Sequence, residues 1–170
     1  FSPDGAYVIS VDPEGLTILW NLEGEQITTI EDIYYVAFNN AGTQFATLGR
    51  QYGTVSLWST KGEQLATIQA NNVHEVLQFS PSDSYILGRH FYLYRDGAEV
   101  WDLEGNKFDS GYSRGLATGF FSTGFFFRPD EQVASIHFNP GSPTQLIGLQ
   151  DNEIFSLSLN AVSYTHLRAH

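Results

Sequence analysis

The chain repeats itself, and an internal repeat restricts the possible folds more than any other feature. A Phe followed by a polar turn occurs four times in the 170 residues, and a Trp followed by a Gly-containing turn occurs three times. The Phe turns lie at residues 1–5, 38–42, 79–83 and 138–142, and the Trp turns at 20–24, 58–62 and 101–105. Each Trp follows its Phe by 19, 20 or 22 residues, and Leu157 has the same place in the fourth copy. Landmarks at such constant offsets indicate one structural unit repeated four times.

Each unit has the residue pattern of β-strands. The second unit contains four short runs rich in β-branched and aromatic residues, separated by turns with Gly, Asn or Lys-Gly, at 34–38, 44–48, 54–58 and 64–68. No segment has a sustained apolar period of 3.6 residues, so we expect essentially no helix. A single four-stranded meander cannot cover both of its faces. The sequence therefore predicts an all-β fold whose units stack face to face, as the blades of a propeller do.

The turn Phe-Ser-Pro-Asp-Gly at 1–5, the Trp-Asp-Leu-Glu-Gly run at 101–105 and a period of about 40 residues resemble WD40 repeats over roughly residues 1–160. In that family each blade carries a polar set: a Gly-His pair, a Ser or Thr, an Asp and the Trp. The positions that match it are Ser10 and Thr47 for the hydroxyl, Trp20, Trp58 and Trp101 for the indole, and Asp151 for the carboxylate. Glu14, Tyr52 and Arg95 replace the Asp elsewhere, and the chain has no Gly-His pair. The resemblance thus implies degenerate blades, held more by apolar stacking than by this set.

The repeat maps the chain into four blades, at about 1–30, 33–68, 73–110 and 133–159. The first begins at the end of its inner strand and the fourth supplies three strands, so both are expected to be incomplete. Known propellers have about four to eight blades. We therefore expect residues 1–161 to form an arc, a fragment of a larger protein, that self-associates through its open apolar faces.

Residues 162–170 depart from the repeat where an outer strand is due. Their sequence resembles one translated reading frame of a transposase adapter used in sequencing libraries. We therefore expect this tail to be non-native and to contribute nothing to the fold. His166 and His170 have a spacing that suits two metal ligands on one helical face, but no acidic residue accompanies them.

Composition excludes several classes of function. The chain has 8 Lys and Arg against 19 Asp and Glu, a formal net charge of −11, which disfavours binding to nucleic acid or to an anionic membrane. It has no Cys, and therefore no disulfide or thiolate metal site. No phosphate-binding glycine motif is present, and we predict neither a cofactor nor a metal. The compartment stays open, although the lack of Asn-x-Ser/Thr sequons favours the cytoplasm over an extracellular location.

One catalytic motif occurs and has an unsuitable context. Residues 111–115 match Gly-x-Ser-x-Gly, which in hydrolases lies between a strand and a helix. Here glycine and aromatic residues follow, and His137, the candidate base after Asp130, lies in a predicted strand. The acidic pairs, such as Asp12 with Glu14 and those at 31–32, have the spacing of solvated loop tips rather than of a cation site or a glycosidase dyad. We therefore predict no catalytic residue.

The sequence predicts a non-enzymatic protein–protein interaction scaffold whose partner has a basic or neutral contact surface. Two alternatives stay open: a hydrolase-type propeller enzyme with carboxylates at the central channel, and a purely structural stretch. An insertion at about 111–132 separates blades three and four and contains five Phe at 120–127. Phe125, Phe126 and Phe127 are the candidate partner-binding residues. The competing interpretation is that they cover the apolar seam between the two blades.

Overall fold

The computed structural model describes residues 1–50, 53–70, 73, 75–92, 95–107, 125–126, 133–142, 144–150, 153–159 and 163–167. All regular structure in these ranges is β, arranged in four antiparallel sheets, and the expected all-β fold is confirmed. No helix in the described ranges is long and apolar enough to cross a membrane.

Each sheet is a meander in which neighbours in sequence are neighbours in space, and we refer to the four sheets as blades one to four. Blade one contains β1 (Tyr7–Val11), β2 (Thr17–Asn21) and β3 (Gln26–Ile30). Blade two contains β4 (Ile33–Phe38), β5 (Gln44–Gly49), β6 (Thr54–Ser59) and β7 (Gln64–Gln69). Blade three contains β8 (Glu75–Phe79), β9 (Tyr85–Tyr92), β10 (Arg95–Asp102) and β11 (Phe125–Phe126). Blade four contains β12 (Val133–Phe138), β13 (Gln145–Gln150), β14 (Glu153–Ser158) and β15 (Ser163–Leu167).

The sequence repeat is also a repeat of strand register. Trp58 lies opposite Phe45, and the corresponding pairs in blades one, three and four are Trp20 with Val8, Trp101 with Ile86, and Leu157 with Leu146. The first strand of blades two, three and four, which we call the inner strand, ends in each case at the Phe of the repeat. Inner strand β8 packs against β4 and against β12. Each landmark in the sequence therefore marks a fixed place in a blade.

The residue after each Phe closes the turn from the first to the second strand. Its backbone N–H donates to a carbonyl five or six residues later, at 2.7–2.9 Å; the donors are Ser2, Asn39, Ser80 and Asn139, and the acceptors Tyr7, Gln44, Tyr85 and Gln145. The side chains of three of these donors also accept backbone N–H groups from the far side of the turn: Ser2, Asn39 and Ser80. Short polar side chains stabilise tight turns in this way because they replace backbone partners.

Apolar side chains fill the spaces between blades one and two and between blades two and three. One core joins blades one and two and contains Leu19, Ile30, Ile33 and Phe45. A larger core joins blades two and three, and its buried members include Leu48, Val55, Ile68, Leu77, Ile86 and Trp101. Burial of each large apolar side chain contributes about 1.5–3 kcal/mol to folding. The blades are thus held together mainly by stacking.

Successive Phe turns also contact one another across the blades. Asp4 of blade one lies so close to Gly42 that a Cβ there would stand 2.6 Å from its Cγ. Asp83 of blade three accepts hydrogen bonds from the backbone N–H of Asn40 at 2.8 Å and of Ala41 at 2.9 Å, and from the Asn40 side chain at 2.6 Å. One carboxylate therefore ties the turn of blade two to the turn of blade three.

The boundaries of the outer strand of blade three differ from those expected from the sequence. The sequence placed the end of this blade near residue 110 and the insertion after it. In the structure Lys107 pairs with Trp101 in an isolated bridge, and Phe125–Phe126 then pair with Ala98 and Gly97. The insertion therefore interrupts the outer strand instead of following it. An outer strand has one unpaired edge, so an interruption there leaves the ladder of the other three strands intact.

Blade four has a fourth strand where the sequence predicted three. Residues 163–167 of the expected foreign tail form β15 and pair with β14. An unpaired strand edge accepts any extended segment of suitable length, so pairing alone does not require a native sequence. β3 and β7 both shift register beside their Trp, at Trp20 and Trp58, whereas β15 pairs in continuous register. The non-native origin of the tail stays a prediction.

Replacement of Asp83 with Gly tests the tie between turns. Asp83 has a φ of 55°, so Gly keeps the backbone conformation and removes the acceptor of three hydrogen bonds. We expect the free energy of unfolding, measured in denaturant, to fall by about 1–3 kcal/mol. Asp32 is the matched control, since its φ is 58° and its carboxylate has no hydrogen-bond partner among the described residues. Asp32→Gly should change stability by less than about 0.5 kcal/mol; equal losses in both variants would contradict the tie.

Candidate functional site

The structure brings together two of the polar pairs that the sequence singled out. The Trp20 indole Nε1–H donates to the Ser10 hydroxyl at 2.9 Å, and the Trp58 Nε1–H donates to the Thr47 hydroxyl at 3.0 Å. The first bond joins β1 to β2 in blade one, and the second joins β5 to β6 in blade two. Thr47 is buried, whereas Ser10 is exposed. These pairs stiffen blades one and two and have no chemistry of their own.

Blade three has the Trp without its hydroxyl. Gly88 occupies the register position of Thr47, since it lies opposite Glu99 just as Thr47 lies opposite Ser56. Trp101 is 0% exposed, and its Nε1 has no hydrogen-bond partner among the described residues. A Cβ on Gly88 would stand 2.8 Å from the Trp101 ring, so the ring lies in the space that a Ser or Thr side chain would need. The sequence pattern identifies hydroxyls in blades one and two only, and it gives no sign that Gly88 makes room for the ring.

Blade four has neither member of the pair. Leu157 occupies the Trp position and Gly148 the hydroxyl position. Asp151, which matched the carboxylate position, lies outside the described residues, as does Tyr52. Among the described residues the indole–hydroxyl pair thus occurs only in blades one and two.

A buried ion pair lies at the start of the interruption in blade three. Glu99 is 1% exposed, and the Lys107 Nζ lies 2.6 Å from its Oε1. Lys107 pairs with Trp101 at the position that Gln26 and Gln64 occupy in the first two blades. Removal of one partner from such a desolvated pair is strongly destabilising. The pair therefore fixes the outer strand just before the chain leaves the blade.

Phe125 and Phe126 are strand residues at the far side of the same interruption. Phe125 lies opposite Ala98. Phe125 therefore occupies the register position that Ile30 has in blade one and Ile68 has in blade two. Both isoleucines are buried. Phe126 takes the position of the exposed Gln69. Phe127, the third candidate residue, lies outside the described residues.

Loops of blades one and two meet at one end of the sheets. The Ile33 N–H donates to the Gly15 carbonyl at 3.0 Å, and the Arg50 N–H donates to the Asp32 carbonyl at 2.7 Å. The Arg50 guanidinium donates to the Pro13 carbonyl. These bonds hold the β1–β2 turn, the β3–β4 connection and the end of β5 in one surface.

This surface is acidic and aromatic. We call it the acidic rim and define it by six exposed residues: Asp12, Glu14, Glu31, Asp32, Tyr34 and Tyr35. Tyr34 is 50% exposed and Tyr35 37% exposed. Asp12 accepts hydrogen bonds from its own turn, whereas the carboxylates of Glu14, Glu31 and Asp32 have no hydrogen bond or ion pair to any described residue.

The sequence predicted that the acidic pairs are separate, solvated loop tips. The turn of one blade and the connection into the next are distant in sequence, and the backbone bonds from Ile33 and Arg50 bring them together. A propeller model built from the repeat could have located this contact. In the described part of the chain, no three His, Asp or Glu side chains are grouped so as to hold a metal ion.

Removal of the Thr47 hydroxyl tests the indole pair. Thr47→Val preserves the shape of the side chain but leaves the Trp58 N–H without an acceptor, and we expect a loss of about 1–3 kcal/mol in the free energy of unfolding. Thr17 is the matched control, because its hydroxyl is equally buried and has no hydrogen-bond partner in the described part of the chain. Thr17→Val should be neutral or stabilising. A destabilisation of equal size in both variants would show that the hydrogen bond contributes nothing.

Comparison with known proteins shows the fold. No protein-family model and no curated protein sequence matches the chain significantly. Among solved structures it is similar to the Cps50 (Swd1) beta-propeller domain of Myceliophteria thermophila, with a TM-score of 0.67 at 11% identity over 100% of this chain and 54% of that one. It is similar to hydrazine synthase of Kuenenia stuttgartiensis, with a TM-score of 0.68 at 9% identity over 97% of this chain and 51% of that one.

A third similar structure is a candidate 6-phosphogluconolactonase of Bacteroides uniformis, with a TM-score of 0.62 at 16% identity over 98% of this chain and 51% of that one. The chain thus spans about half the length of these structures. The chain has a β-propeller fold, with repeated antiparallel sheets as its blades.

Proposed function

We propose that this chain is a non-enzymatic interaction module of the WD40 type, which binds a protein or peptide partner through the acidic rim. The observation that carries the proposal is the joining of loops from two blades into one surface with exposed tyrosines and with carboxylates that have no partner among the described residues. Loops on a rigid frame are the usual place of binding residues. Here the hydrogen bonds between the loops preorganise the surface, which lowers the entropy cost of binding.

Three features support the WD40 type. The Trp20–Ser10 and Trp58–Thr47 hydrogen bonds join residues that match two positions of the family's polar set. An equivalent backbone hydrogen bond closes each of the four Phe turns. The similarity to the Cps50 propeller domain adds a structural parallel, at an identity that supports the fold alone.

The partner of the rim is a basic segment with an apolar or aromatic side chain. Three free carboxylates attract Lys and Arg, and the net charge of −11 adds a long-range field of the same sign. Tyr34 and Tyr35 offer aromatic faces, which suit both apolar side chains and guanidinium groups. The electrostatic part of such binding weakens with added salt.

The enzyme alternative keeps some support, because the similar structures include a candidate 6-phosphogluconolactonase. It requires carboxylates that converge on the central channel from several blades. The inner strands β4, β8 and β12 contain a single acidic residue, Glu75. This composition favours the interaction module over the enzyme.

Selection of peptides from a random library on the immobilised chain tests the proposal. We expect the enriched peptides to carry Lys or Arg beside an apolar residue. The double variant Glu14→Lys, Glu31→Lys should bind them at least about tenfold more weakly, because two attractions become repulsions.

The double variant Glu23→Lys, Glu104→Lys is the control for this experiment. It makes the same change in net charge, on exposed turn residues at the opposite end of the blades. We expect its affinity at physiological salt to stay within about threefold of the unmodified chain. If both double variants bound the peptides equally weakly, the effect would come from net charge alone, and this would contradict binding at the acidic rim. Hydrolysis of 6-phosphogluconolactone by the unmodified chain would favour the enzyme.

Single serine variants separate the two interpretations of the Phe cluster, which we keep as a second proposed contact surface. Phe125→Ser should lower the free energy of unfolding by about 3 kcal/mol, because its register position is the one at which blades one and two bury isoleucine. Phe126→Ser should leave stability within about 0.5 kcal/mol. If Phe126 contributes to docking, its variant should bind the selected partner more weakly at unchanged stability. Unchanged affinity of this variant for the partner would show that Phe126 is not part of the contact surface.

A further inference from the structure

Arg50 is an exposed cation that contacts both of the loops that form the acidic rim. Its backbone N–H donates to the Asp32 carbonyl at 2.7 Å, and its guanidinium donates to the Pro13 carbonyl. Glu14 follows Pro13 in the chain, and Glu31 precedes Asp32. Arg50 therefore joins the two acidic segments of the rim and has a carboxylate-bearing loop on each side.

The Arg50 side chain is held in one place although it is exposed. A Cβ on Gly15 would stand 2.7 Å from the Arg50 Nε, so the guanidinium group lies directly across the β1–β2 turn. Gly15 has a φ of 91°, a conformation that suits glycine, and its lack of a side chain leaves the room that Arg50 occupies. A side chain that is fixed before binding loses little conformational entropy when a partner binds.

The guanidinium group also keeps hydrogen-bond donors for a partner. A guanidinium has several N–H donors, and among the described residues only the Pro13 carbonyl accepts a bond from this side chain. In the same part of the chain Arg50 forms no ion pair, although the rim beside it is acidic. A planar guanidinium that is not ion-paired fits a carboxylate through parallel hydrogen bonds.

We propose that Arg50 is a specificity-determining residue of the acidic rim and binds one side-chain carboxylate of the partner. The inference rests on the proposed function, because it concerns the same surface and the same basic segment. A carboxylate bound to Arg50 has rim acids on both sides, so the partner carries a basic residue on each side of it. Alternate side chains of an extended segment share one face. The recognised pattern is therefore basic, acidic and basic at alternate residues.

The overall charge of the chain predicts the opposite preference. At a net charge of −11, the long-range field favours the peptide with the higher positive charge. Replacement of the central Glu of such a peptide by Gln raises that charge, and the field alone would then tighten binding. A preference for Glu over Gln therefore requires a cation at the contact itself.

Selection from one mixed peptide library tests the proposal. Each peptide has Lys two residues before and two residues after a central residue, which is either Glu or Gln in equal amounts, and all other positions are random. On the immobilised unmodified chain, we expect Glu peptides to be enriched at least about threefold over Gln peptides. On Arg50→Gln this preference should disappear or reverse, because only the field then acts.

Lys61→Gln is the matched control. It makes the same change in net charge, on an exposed residue of the β6–β7 turn at the opposite end of the blades, and it should keep the preference for Glu. Loss of the preference in this variant would overturn the proposal, because net charge would then explain it. A preference for Glu that persists in Arg50→Gln would also overturn it, since Arg50 would then only hold the loops together.

A second variant keeps the test decisive if Arg50→Gln does not fold. Arg50→Lys retains the charge without the planar fork, and should bind the selected Glu peptides at least about threefold more weakly. Its affinity for the Gln peptides should stay within about twofold of the unmodified chain. Binding without a preference for Glu would contradict this inference alone. Absence of binding by both kinds of peptide would contradict the proposed function and this inference with it.

Discussion

Face-to-face packing between neighbouring blades is the interaction on which the rest of this structure depends. Hydrogen bonds within a meander satisfy the backbone of one sheet but do not hold two sheets together. The cores around Phe45 and around Ile86 supply that attachment, and each takes side chains from two successive blades. Loops at the ends of the sheets acquire fixed relative positions because these cores fix the sheets and because backbone hydrogen bonds such as those of Ile33 and Arg50 then join the loops. The acidic rim, which belongs to two blades at once, exists for this reason.

The polar pairs within blades are secondary to that packing. Blade three buries Trp101 fully, although no residue that the structure describes accepts a hydrogen bond from its indole N–H. An unpaired buried donor costs about 1–3 kcal/mol. Burial of the ring removes about 150–250 Å² from water, which offsets that cost. Gly88 makes this arrangement possible because it leaves room for the ring. The repeats can therefore lose their hydrogen-bonding residues one by one and still stack.

The sequence predicted the structural features that are determined within a single repeat. The Phe turns and the Trp positions located the strands and indicated a meander, because turn geometry and alternation are properties of short segments. The interruption of blade three was placed after the blade, since nothing near Lys107 shows that the strand resumes at Phe125. The acidic rim was missed because it depends on which loops become neighbours. Gly88 was missed because a glycine gives no positive signal until the ring above it is seen.

The interrupted outer strand of blade three affects how the length of the chain can vary without loss of the fold. Pairing holds the strand on both sides of the interruption, at Lys107 and at Phe125, and the buried Glu99 carboxylate secures the first of these points. The length of chain between two anchored points on an edge has little effect on the stability of the sheet, since loop-closure entropy grows only slowly with length. A change in the length of chain between Lys107 and Phe125 is therefore compatible with the blade keeping its place in the stack. This edge is a position at which new sequence can be introduced with little cost to folding.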